Sequence, residues 1–167
     1  LHDREIRTIT LIGGEPTIYP YLIELICYIK SLGLKVRLAT NGKRFKDKVF
    51  AQQIVSSKID GINISIKGTT EDEYLYNTHQ TGLHDMIEGY HNLKDLGFEP
   101  SISYVITTKD TNKFDEFVKM LSKKNLDNLV IQFEKPSLST EHESGTMNIR
   151  DMGNFTSYIF SVLENSG

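Results

Sequence analysis

The feature of this sequence that most restricts its fold is a regular alternation of short apolar segments with longer amphipathic ones. The apolar segments have the length and composition of strands, and the segments between them have a helical apolar period. The predicted strands are residues 8–12, 34–39, 59–66, 101–107 and 129–133. Strands that alternate with helices pair in parallel with right-handed crossovers, so the pattern predicts an α/β fold with one parallel sheet. An open doubly wound sheet and a partial barrel both agree with it.

The amphipathic segments predict helices whose ends are marked by proline, glycine and asparagine. The first helix is expected to begin near Tyr19 or Pro20 and to stop at Gly33, with Cys27 half-buried beside its apolar stripe. Further helices are expected at about 46–57, 71–76, 86–96 and 113–121, with Asn112 as an N-cap, and around 152–162. Residues 136–148 are expected to form a polar loop.

The most informative local motif is Gly13-Gly14-Glu15-Pro16-Thr17, at the junction of the first strand and the first helix. Two glycines at such a junction let the backbone turn sharply and bring bare N–H and C=O groups against a ligand. The carboxyl ends of parallel strands are the usual place for sites in α/β folds. The motif therefore predicts a loop that faces a small ligand.

At these residues the chain resembles the radical S-adenosylmethionine (SAM) enzymes, whose GGEP motif holds the amino group of the SAM methionine. The resemblance implies a partial (β/α)6 barrel. Its second to sixth strands would be the five predicted here, so that residues 1–167 form a single truncated domain with the first βα unit missing. It also implies SAM and a [4Fe–4S] cluster as cofactors. The implied reaction is reductive cleavage of SAM to a 5′-deoxyadenosyl radical that abstracts a hydrogen atom.

The cysteine loop of that family, CxxxCxxC, is absent, because Cys27 is the single cysteine and lies beyond the glycines. Three thiolates are needed to hold the cluster. We therefore expect this chain by itself to be catalytically inactive, with no metal ligand and no catalytic residue of its own.

Polar residues follow each of the other predicted strands and complete a candidate site. The candidate SAM contacts are Gly13, Gly14, Glu15, Pro16, Thr40, Asn41, Ser65, Lys67, Ile106, Thr108 and Gln132. The set is expected to form a polar rim on a hydrophobic cylinder. By resemblance, Gly13, Gly14 and Glu15 would orient the methionine end of SAM.

Two other groups of contacts follow from the resemblance. Ser65 and Lys67 would contact the ribose or the carboxylate of SAM, and Ile106 would pack on the adenine. Ser65 stands where the glycyl-radical activating enzymes often have Asp, which weakens assignment to that subgroup. Three of the candidate contacts also have a structural interpretation: Glu15 as a helix cap, Asn41 as a turn residue and Ile106 as a core residue.

Composition restricts the partners and the compartment. The net charge of −3 argues against a nucleic-acid surface, and no apolar run is long enough to span a membrane. A single cysteine fits a reducing compartment, so a cytoplasmic protein is expected. The expected partners are a protein, peptide or small-molecule substrate and, by resemblance, a reductant such as flavodoxin or ferredoxin.

Two alternatives to a radical SAM enzyme remain. The first is a non-catalytic barrel domain that serves as a scaffold or binds a partner. The second is an unrelated barrel enzyme of the aldolase or metal-dependent lyase kind, for which Lys67 is the only suitably placed lysine.

Overall fold

The computed structural model describes residues 6–106, 111–133 and 149–164. Its sheet contains β1 (Thr8–Leu11), β2 (Lys35–Thr40), β3 (Gly61–Ile66), β4 (Ser101–Ile106) and β5 (Leu129–Phe133). The strands lie in sequence order, and every neighbouring pair is parallel. The predicted α/β fold with one parallel sheet is confirmed.

In the described ranges, six helices connect and follow the strands. They are α1 (Leu22–Ser31), α2 (Lys48–Ser56), α3 (Glu71–Thr78), α4 (Leu83–Asp95), α5 (Thr111–Lys124) and α6 (Ile149–Glu164). Two short 3-10 turns, Pro16–Ile18 and Lys43–Lys46, follow β1 and β2. None of the described helices is both long and apolar enough to cross a bilayer.

Two predicted helix starts are wrong. The first helix begins at Leu22 rather than at Tyr19 or Pro20, because the chain first makes the 3-10 turn with Pro16 in its first position. Asn112 lies inside α5 instead of capping it, because that helix begins at Thr111. The polar loop predicted at 136–148 lies outside the described residues.

The two faces of the sheet differ in polarity. Alternate residues such as Val36, Leu38, Ile62 and Ile64 are buried in the hydrophobic core. The opposite side, here called the open face, carries Thr10, Arg37, Ala39, Asn63, Ser65, Ser101, Ser103, Val130 and Gln132. The expected hydrophobic cylinder is therefore wrong, because the open face is predominantly polar.

The prediction for Cys27 is also wrong. Helix α1 buries Leu22, Ile26 and Ile29, whereas Cys27 is exposed. Successive residues are rotated by about 100° around a helix, so the neighbour of a fully buried position turns toward solvent. Cys27 is a free surface thiol.

The turn after β2 is packed against β3 and α4. Gly42 has φ +76°, and a Cβ added there would lie 2.7 Å from Cγ2 of Ile64. A Cβ on Gly89 would lie 2.5 Å from the carbonyl oxygen of Gly42. From α4, the buried Asn92 amide donates to the carbonyl oxygens of Phe45 and Lys46 at 3.0 and 3.1 Å. Helix α4 therefore fixes the position of this turn.

We predict that Gly42→Ala destabilises the protein by about 1–3 kcal/mol more than Gly97→Ala, because only the first adds a steric clash. Gly97 is a matched control, since its φ of +74° is nearly the same but a Cβ there would meet nothing within 4 Å. The free energies of unfolding from urea titrations provide the comparison. Equal losses would show that Ile64 moves aside at no cost.

Candidate functional site

The carboxyl ends of the strands surround a cavity of about 440 Å³. Of the residues predicted from the sequence, those that line it are Gly13, Gly14, Glu15, Thr40, Asn41, Ser65, Lys67 and Gln132. Its volume is in the usual range for sites that bind small molecules. The structure therefore brings eight of the predicted residues, from four strand ends, to a single cavity.

The glycine pair leaves bare backbone at the cavity wall. A Cβ on either Gly13 or Gly14 would meet no atom within 4 Å, and neither residue has a positive φ. The fold therefore does not require glycine here for conformation or for packing. What the two glycines provide is open space in front of main-chain N–H and C=O groups.

The Glu15 carboxylate connects the β1 loop to the end of β2. Its Oε1 accepts hydrogen bonds from the Thr17 N–H at 3.1 Å, the Thr17 hydroxyl at 2.7 Å and the Thr40 hydroxyl at 2.6 Å. Its Oε2 accepts one from the Asn41 N–H at 2.8 Å. Glu15 is thus both the N-cap of the 3-10 turn and a wall of the cavity. The structural and the ligand-binding interpretations of this residue are compatible.

The end of β2 is shaped by local hydrogen bonds that continue from Glu15. The buried Thr40 hydroxyl accepts from the Gly42 N–H at 3.1 Å, and Asn41 Oδ1 accepts from the Lys43 N–H at 3.0 Å. The Arg44 guanidinium donates to the Thr17 carbonyl oxygen. These contacts hold the loops after β1 and β2 together as one rim of the cavity.

Helix α3 and the turn after it form a second wall. The Lys67 carbonyl oxygen accepts from the Asn77 amide at 2.6 Å, and the Lys43 ammonium donates to Gln80 Oε1 at 3.0 Å. Glu71 accepts from the His84 N–H at 2.8 Å and the Gly82 N–H at 3.2 Å. The hydrogen bond from the His84 N–H is the main cause that lowers the pKa of Glu71, and partial burial opposes this lowering. This carboxylate therefore fixes the start of α4 relative to α3.

Tyr74 on α3 is a cavity residue that sequence reasoning missed. Its side chain is only 1% exposed, yet its hydroxyl makes no hydrogen bond within the described ranges. Burial, followed by the charges of Glu71 and Glu15, raises the pKa of Tyr74. The hydroxyl is therefore a neutral donor available to a ligand. In the sequence, the position of Tyr74 on a short helix did not distinguish it from an aromatic residue of the core.

Asn63 and Ser103 on the open face were also missed. Asn63 Oδ1 is a buried side-chain oxygen without a hydrogen-bond partner in the described part of the chain. The Ser103 hydroxyl has one distant partner, Gln132 Oε1 at 3.5 Å. A buried acceptor without a partner is costly, and a ligand that donates a hydrogen bond would remove that cost. The alternation of apolar and polar residues at 62–66 is the signal that could have identified Asn63, because it puts this residue on the same face as Ser65.

Two of the predicted contacts, Pro16 and Ile106, do not line the cavity. Pro16 occupies the first position of the 3-10 turn, and Ile106 is 3% exposed and packs in the core. Thr108 lies outside the described residues. Contact of Ile106 with adenine therefore stays a prediction.

The potential metal ligands lie away from the cavity. Cys27 is the only cysteine in the sequence, so this chain does not contain the three thiolates of a [4Fe–4S] site. Among the described residues, His84, Asp85 and Glu88 on α4 have ligand atoms within 4.8 Å of one another. Because His84 and Glu88 are exposed and Asp85 already pairs with Lys46 at 2.6 Å, we assign no metal to this group.

Known structures share this fold. SuiB of Streptococcus suis bound to S-adenosylmethionine superposes with a TM-score of 0.74 at 16% identity, covering 95% of this chain and 35% of SuiB. Coproporphyrinogen III oxidase (HemN) of Escherichia coli, described as a radical SAM enzyme, gives a TM-score of 0.72 at 10% identity. That match covers 96% of this chain and 40% of the oxidase. At these identities the likeness concerns the fold.

Curated relatives give a sequence relationship. A probable GTP 3′,8-cyclase of Sulfolobus acidocaldarius is 32% identical over 126 residues, which cover 74% of this chain and 40% of that protein. The corresponding protein of Saccharolobus solfataricus is 29% identical over 117 residues, covering 69% of this chain and 37% of its own length. The chain therefore spans about two fifths of the length of these relatives.

A family model gives the assignment. The model described as the Radical SAM superfamily matches residues 1–123, which include the glycine motif, Glu15, Thr40, Ser65 and Tyr74. Members of this family are enzymes whose cofactors are SAM and a [4Fe–4S] cluster. With the match covering well over half of the sequence, this chain belongs to the radical SAM superfamily.

Proposed function

We propose that this chain forms the SAM-binding portion of an enzyme that cleaves SAM reductively and uses the product to abstract a hydrogen atom. The observation that carries the proposal is the cavity between Gly13-Gly14-Glu15 and the ends of β2 and β3, whose rim is held by the Glu15 carboxylate. When bound, SAM and a reduced [4Fe–4S] cluster supply methionine and a 5′-deoxyadenosyl radical.

The residues of the cavity fit a ligand that is part amino acid and part nucleoside. A carboxylate has about four lone-pair positions, two on each oxygen. Oε1 of Glu15 already receives three donors, whereas among the described residues Oε2 receives only the Asn41 N–H. Oε2 therefore keeps an acceptor position for an ammonium group. The bare backbone of Gly13 and Gly14 lies beside it and supplies further hydrogen-bonding groups without steric hindrance.

Other groups would orient the remainder of SAM. The Ser65 hydroxyl and the neutral Tyr74 hydroxyl are suited to ribose or carboxylate oxygens, and Lys67 adds a positive charge at the end of β3. A radical reaction requires a defined distance between the reactive carbon and its target and the exclusion of water. We assign these residues to positioning, with no proton transfer.

The substrate and the electron donor belong to the same proposal. The curated relatives are named as probable GTP 3′,8-cyclases, so GTP is the first substrate to test. A small electron-transfer protein such as flavodoxin or ferredoxin is the proposed reductant. Membership of the radical SAM superfamily removes the basis for the aldolase or lyase alternative, in which Lys67 would be catalytic.

The proposed function predicts a cluster and SAM cleavage in the protein expressed at the full length that its gene encodes. After anaerobic reconstitution we expect about four iron and four sulfide per chain. Chemical reduction should then convert SAM to 5′-deoxyadenosine and methionine. A folded full-length protein without a cluster would refute the proposal and leave the alternative of a non-catalytic barrel that binds a partner.

The role assigned to Tyr74 is tested by a pair of tyrosine variants. We predict that Tyr74→Phe raises the Kd of SAM roughly three- to tenfold, because one hydrogen bond is lost, and leaves the thermal midpoint unchanged. Tyr90→Phe is the matched control. The buried Tyr90 hydroxyl donates to Asp127 Oδ1 and accepts from the Asp127 N–H at 3.0 Å, and neither residue lines the cavity.

For Tyr90→Phe we expect the opposite result, a free energy of unfolding lower by about 1–2 kcal/mol with unchanged SAM affinity. Isothermal titration and urea titration of the same preparations measure both quantities. A Tyr74→Phe variant that loses stability but keeps its SAM affinity would assign Tyr74 to the core alone.

A further inference from the structure

A second cavity of about 520 Å³ adjoins the first on the open face of the sheet. The two share Ala39 and Asn63 in their linings. The second lies over the amino-terminal half of the sheet, because Asp60, Glu99 and Asn128, which precede β3, β4 and β5, contribute to it. The open face thus provides one continuous surface that extends from the SAM cavity toward the amino ends of the strands.

The junction of the two cavities is marked by Asn63, whose buried Oδ1 has no partner among the described residues. Its register neighbour on β2 is Ala39, which is too small to bond with it, and on β4 it is Ser101. The Ser101 hydroxyl is directed to the Ile62 carbonyl oxygen at 3.4 Å. Leaving a buried amide oxygen unpaired costs free energy that the fold does not recover. The amide is therefore poised for a donor from outside the chain.

The second cavity also contains a positive charge that no described residue neutralises. Arg37 lies beside Gly61 in the register of β2 and β3, and a Cβ on Gly61 would lie 3.4 Å from Arg37 Cγ and 3.7 Å from Nε. Glycine thus leaves room for the arginine to lie across the sheet. Within the described ranges Arg37 makes no ion pair or hydrogen bond.

The acidic groups of this cavity are already engaged. The Asp60 carboxylate accepts from the Lys30 ammonium at 2.7 Å and from the Val36 N–H at 2.7 Å. Glu99 pairs with Lys94 at 2.5 Å. Arg37 is therefore the charged group in this lining that is left for a ligand.

We propose that Arg37 and Asn63 form a substrate subsite next to the SAM cavity, for a substrate with a carboxylate or phosphate group and a neutral N–H or O–H donor. The oxyanion would bind the planar guanidinium, which matches two oxygens at once, and the donor would bind Asn63 Oδ1. Asn63 lies two residues beyond Gly61 on β3, about 7 Å along the strand. This inference rests on the proposed function, because it places substrate beside SAM.

The charge half of the subsite is tested with two anions, inorganic phosphate and acetate, titrated calorimetrically into the full-length protein. We expect saturable binding of at least one of them, and roughly tenfold weaker binding to Arg37→Gln. Arg150→Gln, the same change at an exposed position of α6, is the matched control and should bind as the wild type does. Stronger binding of phosphate or of acetate identifies the kind of oxyanion. Failure of both anions to bind, or equal binding to Arg37→Gln, would overturn the proposal.

The amide half is tested with Asn63→Leu, which keeps the branching and the number of side-chain heavy atoms and removes the unpaired polar atom. We expect a thermal midpoint equal to or above that of the wild type, because no protein hydrogen bond is lost. A midpoint lowered by several degrees would assign Asn63 to the fold and overturn its role in the subsite.

The affinity for SAM separates this inference from the proposed function. SAM should bind the wild type and Arg37→Gln with Kd values that agree within roughly twofold, because Arg37 is not among the residues that line the SAM cavity. Binding of SAM without anion binding would refute the subsite alone. Anion binding that depends on Arg37, in a protein that does not bind SAM, would refute the proposed function and leave the Arg37 site.

Discussion

The Glu15 carboxylate is the interaction on which the site depends. It accepts hydrogen bonds from Thr17, which follows it by two residues, and from Thr40 and Asn41, the last residue of the next strand and the residue after it. A carboxylate that joins two loops in this way determines the distance between them. Arg44 adds a hydrogen bond to the Thr17 carbonyl oxygen and packs over the Phe50 ring at 4.1 Å. The loops that form the rim of the cavity are therefore held by contacts with each other and with α2.

The two faces of the sheet have different roles, because one contributes to stability and the other to binding. One face buries the isoleucines of β3 against the helices, and the other presents Asn63, Ser65 and Ser103. An open face covered with apolar residues would favour nonspecific hydrophobic contacts, whereas this one offers hydrogen bonds that few protein groups satisfy. Specificity for a polar ligand follows, because a ligand without the matching groups leaves buried polar atoms unpaired.

Much of the fold could be predicted from the sequence, because helical and strand periods are local properties. The parallel sheet followed from the alternation, and β5 was predicted with its observed bounds. The 3-10 turn at Pro16–Ile18 was missed, since it depends on a cap that a single side chain, that of Glu15, supplies. Cys27 was wrongly predicted to be half-buried, because the spacing of the apolar residues in α1 does not show how wide their stripe is. The partners of Glu15 at the end of β2 could not be predicted, as they lie 25 and 26 residues away.

The unequal use of the two Glu15 oxygens restricts how a ligand can approach. Three donors surround Oε1, so an incoming ammonium group meets Oε2, which lies beside the Asn41 N–H. On the proposed function, the methionine end of SAM then lies between the β1 loop and the end of β2. The ribose would then extend toward Ser65 and Tyr74, which line the same cavity. Because that path would follow the strand ends, the part of the open face from Asn63, at the junction of the two cavities, to Arg37 would stay accessible to a second molecule.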